Sequence, residues 1–276
     1  MKDRVKQEGC PVVAHMAGIH ALAFAPCGQM FATGDVDGAV ILWDTQSGEA
    51  GHHMEGDDRT VYALGFSADG ARLASGGVSG LIFVWDVPTG ALLRTIQASD
   101  DEVTGLHFSP TDSRRLASAS DDGWVRLWDI DRGNKKKMFA GLHFAVFSPD
   151  GGAIATASAP TEGDVILFDI ESGEERLTLV GHQSRPHSAA AFSGEDGSKL
   201  ASVSCDNTCK VWDSSTGVCL RTIEMFSPVS VLWGRDWVRD TQGAMAFAMG
   251  HHPRLGGSSR VLELDAGVVR MIMDRV

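Results

Sequence analysis

Short apolar runs ending in an aromatic and an aspartate recur along the chain: AVILWD, LIFVWD, WVRLWD, DVILFD and TCKVWD. The pairs are Trp43-Asp44, Trp85-Asp86, Trp128-Asp129, Phe168-Asp169 and Trp212-Asp213, spaced 42, 43, 40 and 44 residues apart. Five positions after each aromatic stands a glycine (Gly48, Gly90, Gly133, Gly173, Gly217), which marks a turn closing the strand. Six positions before the aromatics stand Asp37, Ser79, Asp122, Glu162 and Asp206. Gly38, Gly80, Gly123, Gly163 or Asn207 follows, residue types that accept positive φ in a two-residue hairpin. Two further strands lie upstream in each unit, IHALAF then MFATG in the first, VYALGF then RLASG in the second, VTGLHF then RLASAS in the third. Turn sequences such as PCG, ADG, PTDS and PDG separate them. The remaining strand follows the glycine after the aromatic, as in ALLRTI, RLTLV and CLRTI. A lone unit of four short strands cannot bury both faces of its sheet, so the units must stack.

A degenerate sixth unit is legible in VSVLWG (229–234), AMAFAM (244–249) and RVLELD (260–265). Leu264 takes the aromatic's place 52 residues after Trp212, and the excess length sits in GRDWVRDTQ. The five aromatic-Asp strand ends, the FSADG, FSPTD and FSPDG turns and the Gly181-His182 dipeptide together resemble the WD-repeat β-propeller family over roughly residues 11–265. The resemblance implies an all-β, single-domain propeller of four-stranded antiparallel blades. Six blades are expected, with seven as the alternative, in repeats at about 11–44, 50–86, 91–129, 134–169, 174–213 and 218–265. Residues 1–10 form an N-terminal tail, and PVVAH (11–15) is expected to pair with RVLELD and close the ring, leaving no exposed sheet edge.

The balance of 24 Lys and Arg against 36 Asp and Glu gives a formal charge of −12, which disfavours general nucleic-acid binding. No apolar run reaches the length of a membrane-spanning helix, and MKDRVKQEGC lacks the apolar stretch of a secretion signal. A soluble, cytoplasmic protein is expected, with the nucleus as a second location. The five cysteines form no CxxC pair. Cys205 and Cys209 alone are close enough to suggest a metal, and small strand residues account for them better. His52-His53 and His251-His252 lack a third ligand at helical spacing. No GxSxG, HExxH or GxxxxGK pattern occurs, and neither enzyme activity nor a cofactor is expected.

The family resemblance also implies a buried hydrogen-bond chain in each blade, running from the strand-end Trp through a hydroxyl and a His to a hairpin Asp. Repeat one supplies His15, Thr33, Asp37 and Trp43, and repeat five supplies His182, Ser202, Asp206 and Trp212. Repeat three keeps Ser118, Asp122 and Trp128, with Ser99 where His belongs; repeat two has Asp57 there and Ser79 in the hairpin. Because the same residue types recur from blade to blade, Ser, His and Asp are assigned to stability rather than to a hydrolytic triad.

By the family's geometry, the connection entering the innermost strand and the hairpin before the aromatic strand open on one face around the central channel. They supply Asp58, Arg59, Asp101, Glu102, Asp121, Trp124, Arg185 and His187 as candidate partner-binding residues. This set suits a non-catalytic interaction scaffold for a protein or peptide, with a basic segment steered to the acidic side beside Trp124. The protein is then a monomer or part of a larger complex. Lys135, Lys136 and Lys137 form the only basic run, which fits protection of a sheet edge better than the alternative, a phosphate-binding role. The tail AGVVRMIMDRV (266–276) has helical spacing, and with Leu264 it resembles the opening of an F-box; a ubiquitin-ligase adaptor is the alternative function. The receptor pattern of an Arg two residues after the strand-end Asp is absent: Gln46, Pro88, Asp131, Glu171 and Ser215 stand there.

Overall fold

A computed structural model describes residues 15–56, 59–158, 163–184, 190–194 and 196–224. Within them the chain is all-β, in five four-stranded antiparallel sheets taken up one after another. Blade one comprises β1 (Ile19–Phe24), β2 (Met30–Asp35), β3 (Ala39–Asp44) and β4 (Ala50–Glu55); blade two, β5 (Val61–Phe66), β6 (Arg72–Gly77), β7 (Leu81–Asp86) and β8 (Leu92–Gln97). Blade three comprises β9 (Val103–Phe108), β10 (Arg115–Ser120), β11 (Trp124–Asp129) and β12 (Asn134–Ala140); blade four, β13 (Leu142–Phe147), β14 (Ala153–Ala157), β15 (Val165–Asp169) and β16 (Glu175–Leu179). Blade five comprises β17 (Ala190–Phe192), β18 (Lys199–Val203), β19 (Thr208–Asp213) and β20 (Cys219–Glu224). The sheets straddle the sequence repeats by one strand. The strand after each Trp-Asp turn pairs back onto the aromatic strand, as Trp43 with Ala50 and Trp85 with Leu92, because a four-residue turn brings only that neighbour into reach.

The turn after each aromatic has a common lock. The strand-end carboxylates of Asp44, Asp86, Asp129, Asp169 and Asp213 accept from the backbone N–H three residues on, at Ser47, Thr89, Arg132, Ser172 and Thr216. The aspartate of each repeat is therefore a turn former. Hydrogen bonds from Ser215 and Thr216 hold the Asp213 carboxyl down at about 2.

The core lies between sheets rather than within them. One buried cluster joins blades one and two (Val40, Leu42, Met54, Leu73, Trp85), another blades two and three (Val84, Ile96, Val103, Leu116, Trp128). Two more follow, one between blades three and four around Phe139, Phe147 and Phe168, the next between four and five around Phe144, Leu200 and Trp212. Each sheet thus buries the apolar face that it cannot cover alone.

Adjacent blades are also clasped at the rim. His52 Nε2 lies 2.9 Å from the Pro88 carbonyl, an Arg94 N–H donates to the Asp131 carbonyl at 2.8 Å, and Lys137 donates to the Glu171 carbonyl. Donor and acceptor occupy equivalent positions each time: an outer strand, and the Trp-Asp turn of the next blade. On β20 the residue Ile223 is half-buried, whereas its counterparts Met54, Ile96, Phe139 and Leu179 are buried. The closing strand as far as Ala14, the sixth unit beyond its first strand (from residue 225 on) and the tail at 266–276 lie outside the described residues, and that first strand is β20 of blade five.

Candidate partner-binding face

Blade five contains the complete polar chain. Trp212 Nε1 donates to Ser202 Oγ at 2.9 Å, and Ser202 in turn stands 2.8 Å from His182 Nε2. His182 Nδ1 lies 3.0 Å from Asp206 Oδ2. With His182 neutral, every proton has an acceptor: indole to hydroxyl, hydroxyl to Nε2, and Nδ1–H to carboxylate. Burial is the main force holding the His182 pKa below 6.5, against the opposing pull of Asp206. Burial alone would raise the Asp206 carboxyl, but hydrogen bonds from Thr208, the Gln183 N–H and His182 overcome it and bring the pKa to about 2. Ser202 is fully buried and already bonded to the Trp212 indole, so it presents no nucleophile to solvent.

In blade one the chain runs through a different acid from the expected Asp37. Trp43 Nε1 donates to Thr33 Oγ1 at 2.7 Å, and His15 bridges Thr33 at 2.6 Å to Asp35 Oδ2 at 2.7 Å. Asp35 is buried, and its other oxygen accepts from the N–H groups of Asp37 and Ala39; Asp37 itself is exposed. Thr33 and Asp35, two apart on β2, share a face, so blade one offers an acid where blade five has Ser204; His15 takes that nearer acid, whereas His182 draws on Asp206 in the turn. Asp35→Ala is therefore expected to cost about 1–3 kcal/mol by orphaning a buried imidazole N–H. Asp37→Ala should stay within about 0.5 kcal/mol. Urea denaturation of the two variants checks this, and equal costs would return the role to Asp37.

Blade three lacks the imidazole. Trp128 donates to Ser118 at 2.9 Å, while Ser99 donates to Asp122 at 2.7 Å and receives the Ser120 hydroxyl at 2.8 Å. Asp122 also pairs with the Arg126 guanidinium. In blade two Trp85 donates to Ser75 at 3.0 Å. In blade four Phe168 has no donor, and Thr156, at the equivalent hydroxyl position, turns to the Leu142 carbonyl.

The chemistry of blade five gives a pH prediction. A His whose folded pKa is depressed contributes stability that is whole above its unfolded value of 6.5 and is lost as pH falls below it. Asp206, depressed to about 2 from 3.8, adds a second loss as pH falls from 3.8 toward 2. Scanning calorimetry should show a Tm that declines below pH 6.5, and a shallower decline in His182→Gln. An unchanged slope would mean that His182 is not the titrating group.

The face bearing the β2–β3 type hairpins and the entries to the inner strands, called the upper face, carries the described candidates Arg59, Asp101, Glu102, Asp121 and Trp124. Arg59 and Asp101 are exposed, Asp121 is half-buried with His143 Nδ1 3.7 Å from its carboxylate, and Trp124, first on β11, is 42% exposed. Glu102 departs from expectation. It is buried directly before β9, its backbone carbonyl receiving the Asp121 N–H, so it is not presented to a partner. Asp57, Asp58, Arg185 and His187 lie outside the described residues. Burial raises the thiol pKa of Cys209 to about 11, and burial with the neighbouring Asp206 raises that of Cys205, leaving neither a ready thiolate. Among the described residues no three His, Cys, Asp or Glu side chains gather as metal ligands.

Successive four-stranded antiparallel blades, each ending its third strand in an aromatic-Asp turn, define a WD-repeat β-propeller. The chain belongs to the family whose model is described as "Nucleolar protein 10-like, N-terminal domain", which matches residues 7–157, more than half its length; the model "WD domain, G-beta repeat" matches 173–213. It is 34% identical over 139 residues to Nuclear distribution protein PAC1 of Arthroderma benhamiae, covering 45% of this chain and 28% of that protein. It is 29% identical over 248 residues to WD repeat-containing protein 1 of Gallus gallus, covering 82% and 40%. The chain thus spans less than half the length of these curated relatives. A solved chain described as "Structure of U3-55K" matches with a TM-score of 0.68 at 22% identity, covering 76% of this chain and 65% of that one, a likeness of fold.

Proposed function

We propose that this propeller is a non-catalytic protein-interaction scaffold that receives a protein or peptide on its upper face. The observation that carries the reading is Trp124. In the other described blades the residue after the hairpin Gly or Asn is Ala39, Leu81, Asp164 or Thr208; here a large aromatic stands 42% exposed beside the Asp122–Arg126 pair, in the same hairpin as Asp121. An exposed tryptophan contributes little to the fold and much to an interface, and the neighbouring carboxylates would steer a basic segment toward it. The family description names a nucleolar protein, which favours a nuclear location over the expected cytoplasmic one. The adaptor alternative rests on residues 264–276, outside the described set, and no described residue favours it.

Affinity purification of the full chain from nuclear extract, compared with Trp124→Ala combined with Asp101→Lys and Asp121→Lys, tests the reading. Loss of a partner with an unchanged melting curve is the expected result. If every recovered protein stays bound to the variant, the upper face is not the docking surface.

A further inference from the structure

On the opposite, lower face, a cleft of about 760 Å³ opens between blades three and four. Its cations are Arg114 and Arg115 before and at the start of β10, Arg132 in the β11–β12 turn, and Lys136 and Lys137 on β12. These positions have counterparts in every other blade, so the repeat itself shows what the fold requires there. The counterparts of Arg132 are Ser47, Thr89, Ser172 and Thr216, all small hydroxyl residues. Arg132 supplies the backbone N–H of this position to Asp129 at 3.1 Å like the rest, but it lacks the hydroxyl with which Ser47, Thr89, Ser172 and Thr216 add a second hydrogen bond inside their turns. Its side chain is 72% exposed and reaches Asp129 only at 4.0 Å. The counterparts of Arg114 are Gln29, Ala71, Gly152 and Ser198, and those of Lys136 are Gly51, Leu93, Arg176 and Leu220. Blade three alone among the described blades carries a cation at all three. The frame does not demand them.

The carboxylates of the cleft are largely engaged in its walls. Asp112 takes both ends of the Arg114 fork and lies 3.4 Å from Arg115, Asp129 caps its turn and lies 3.4 Å from Lys136, and Asp169 caps the β15–β16 turn through Ser172. Asp131, bridged to Arg72 at 2.8 Å, and Glu171 complete the set. Asp112 and Asp129 are 23% and 19% exposed, against 51–72% for the three arginines, so the guanidinium groups reach solvent beyond these two carboxylates, while Asp131 and Glu171 are exposed beside them.

We propose that this cleft binds a phosphorylated serine or threonine in a peptide segment of a partner protein, with Arg115 and Arg132 receiving the phosphate. Arginine clusters hold a phosphoryl dianion through charge-assisted, forked hydrogen bonds. A nucleic-acid strand fits less well. Among the described residues no aromatic side chain lines the cleft to stack a base, and its five carboxylates would oppose a continuous phosphate backbone. A peptide carries one phosphate at a time, and its N–H groups can donate to Asp131 and Glu171. The site lies on the face opposite Trp124 and stands independently of the scaffold reading.

The test uses the full chain and three fluorescent probes: a degenerate peptide pool with a fixed central phosphoserine, the same pool with serine, and poly-uridine RNA. The variant Arg132→Ser with Arg115→Gln restores at one position the residue type of the other blades, and its melting curve should match the parent's. The phosphorylated pool is expected to bind at least about tenfold more tightly than the serine pool, and the variant to lose about tenfold of that affinity. Equal binding of the two pools, no binding of either, or full retention by the variant would each overturn the proposal. So would RNA binding that depends on Arg132.

Discussion

Trp212→Ala is expected to destabilise the protein by about 3–5 kcal/mol. The indole is fully buried in the cluster joining blades four and five, edge-on to the His182 ring at 5.9 Å, and is the terminal donor of a polar chain. Removing it opens a cavity between two sheets and leaves Ser202 without its donor, two costs that add in one variant. Trp212→Phe keeps most of the volume and loses only the donor, so it should cost about 1 kcal/mol beyond its packing change. Trp43, half-buried at the same point of blade one with the same bond to a hydroxyl, is the internal control, and its truncation should cost distinctly less. Equilibrium urea denaturation gives all three values; equal losses for Trp43→Ala and Trp212→Ala would show that burial between blades is not what the indole contributes.

The architecture was legible because its determinants are local and repeated. Turn glycines, the aromatic-Asp strand end and period-two strands each recur at the same offset, so an ambiguous copy is read by its neighbours. What escaped depends on which way a single side chain points. Counting from the aromatic aligned Asp37 with Asp206, yet the second acid of the ThrGlyAspValAsp stretch is in the turn and the first is on the face shared with Thr33. Blade one has an acid two residues after its hydroxyl where repeat five has Ser204, so the offset of repeat five does not reveal it. Glu102 was misread for a related reason: the loop preceding an inner strand is exposed at Asp101 and dives into the core one residue later, and charge alone does not say where it dives. Of the lower cleft the sequence shows only the lysine run, not the arginines beside it. Its cations come from two turns and an outer strand, and only the register of β10, β11 and β12 gathers Arg114, Arg132 and Lys136 at one corner.

Gly80→Ala should be far more damaging than Gly123→Ala, although both glycines hold the same hairpin position and both have positive φ, +72° and +88°. The strain of placing a Cβ in the left-handed region is common to the two, about 1–2 kcal/mol. They differ in what that Cβ would meet. At Gly123 nothing lies within 4 Å, whereas at Gly80 the new atom would fall 2.2 Å from the Ser99 carbonyl oxygen and 2.8 Å from that of Asp101. Both obstacles are backbone and cannot rotate away. They belong to the connection into β9, which is tied to this glycine by the N–H groups of Ala98 and Ser99, donating to its carbonyl at 3.0 and 3.1 Å. Relief of the clash has to push that connection outward, breaking those bonds and moving Ser99, the hydroxyl partner of Asp122, together with the exposed Asp101. Gly80→Ala is thus expected to cost about 3 kcal/mol or more, combining strain with lost backbone bonds, and Gly123→Ala only the strain. Where the Gly80 variant still folds, partner capture on the upper face should fall with it, while capture by the Gly123 variant stays near the parent's. Chemical denaturation and the same purification measure both effects. Equal stability loss in the two variants would remove the close approach of this hairpin to the β8–β9 connection as a feature of the folded protein.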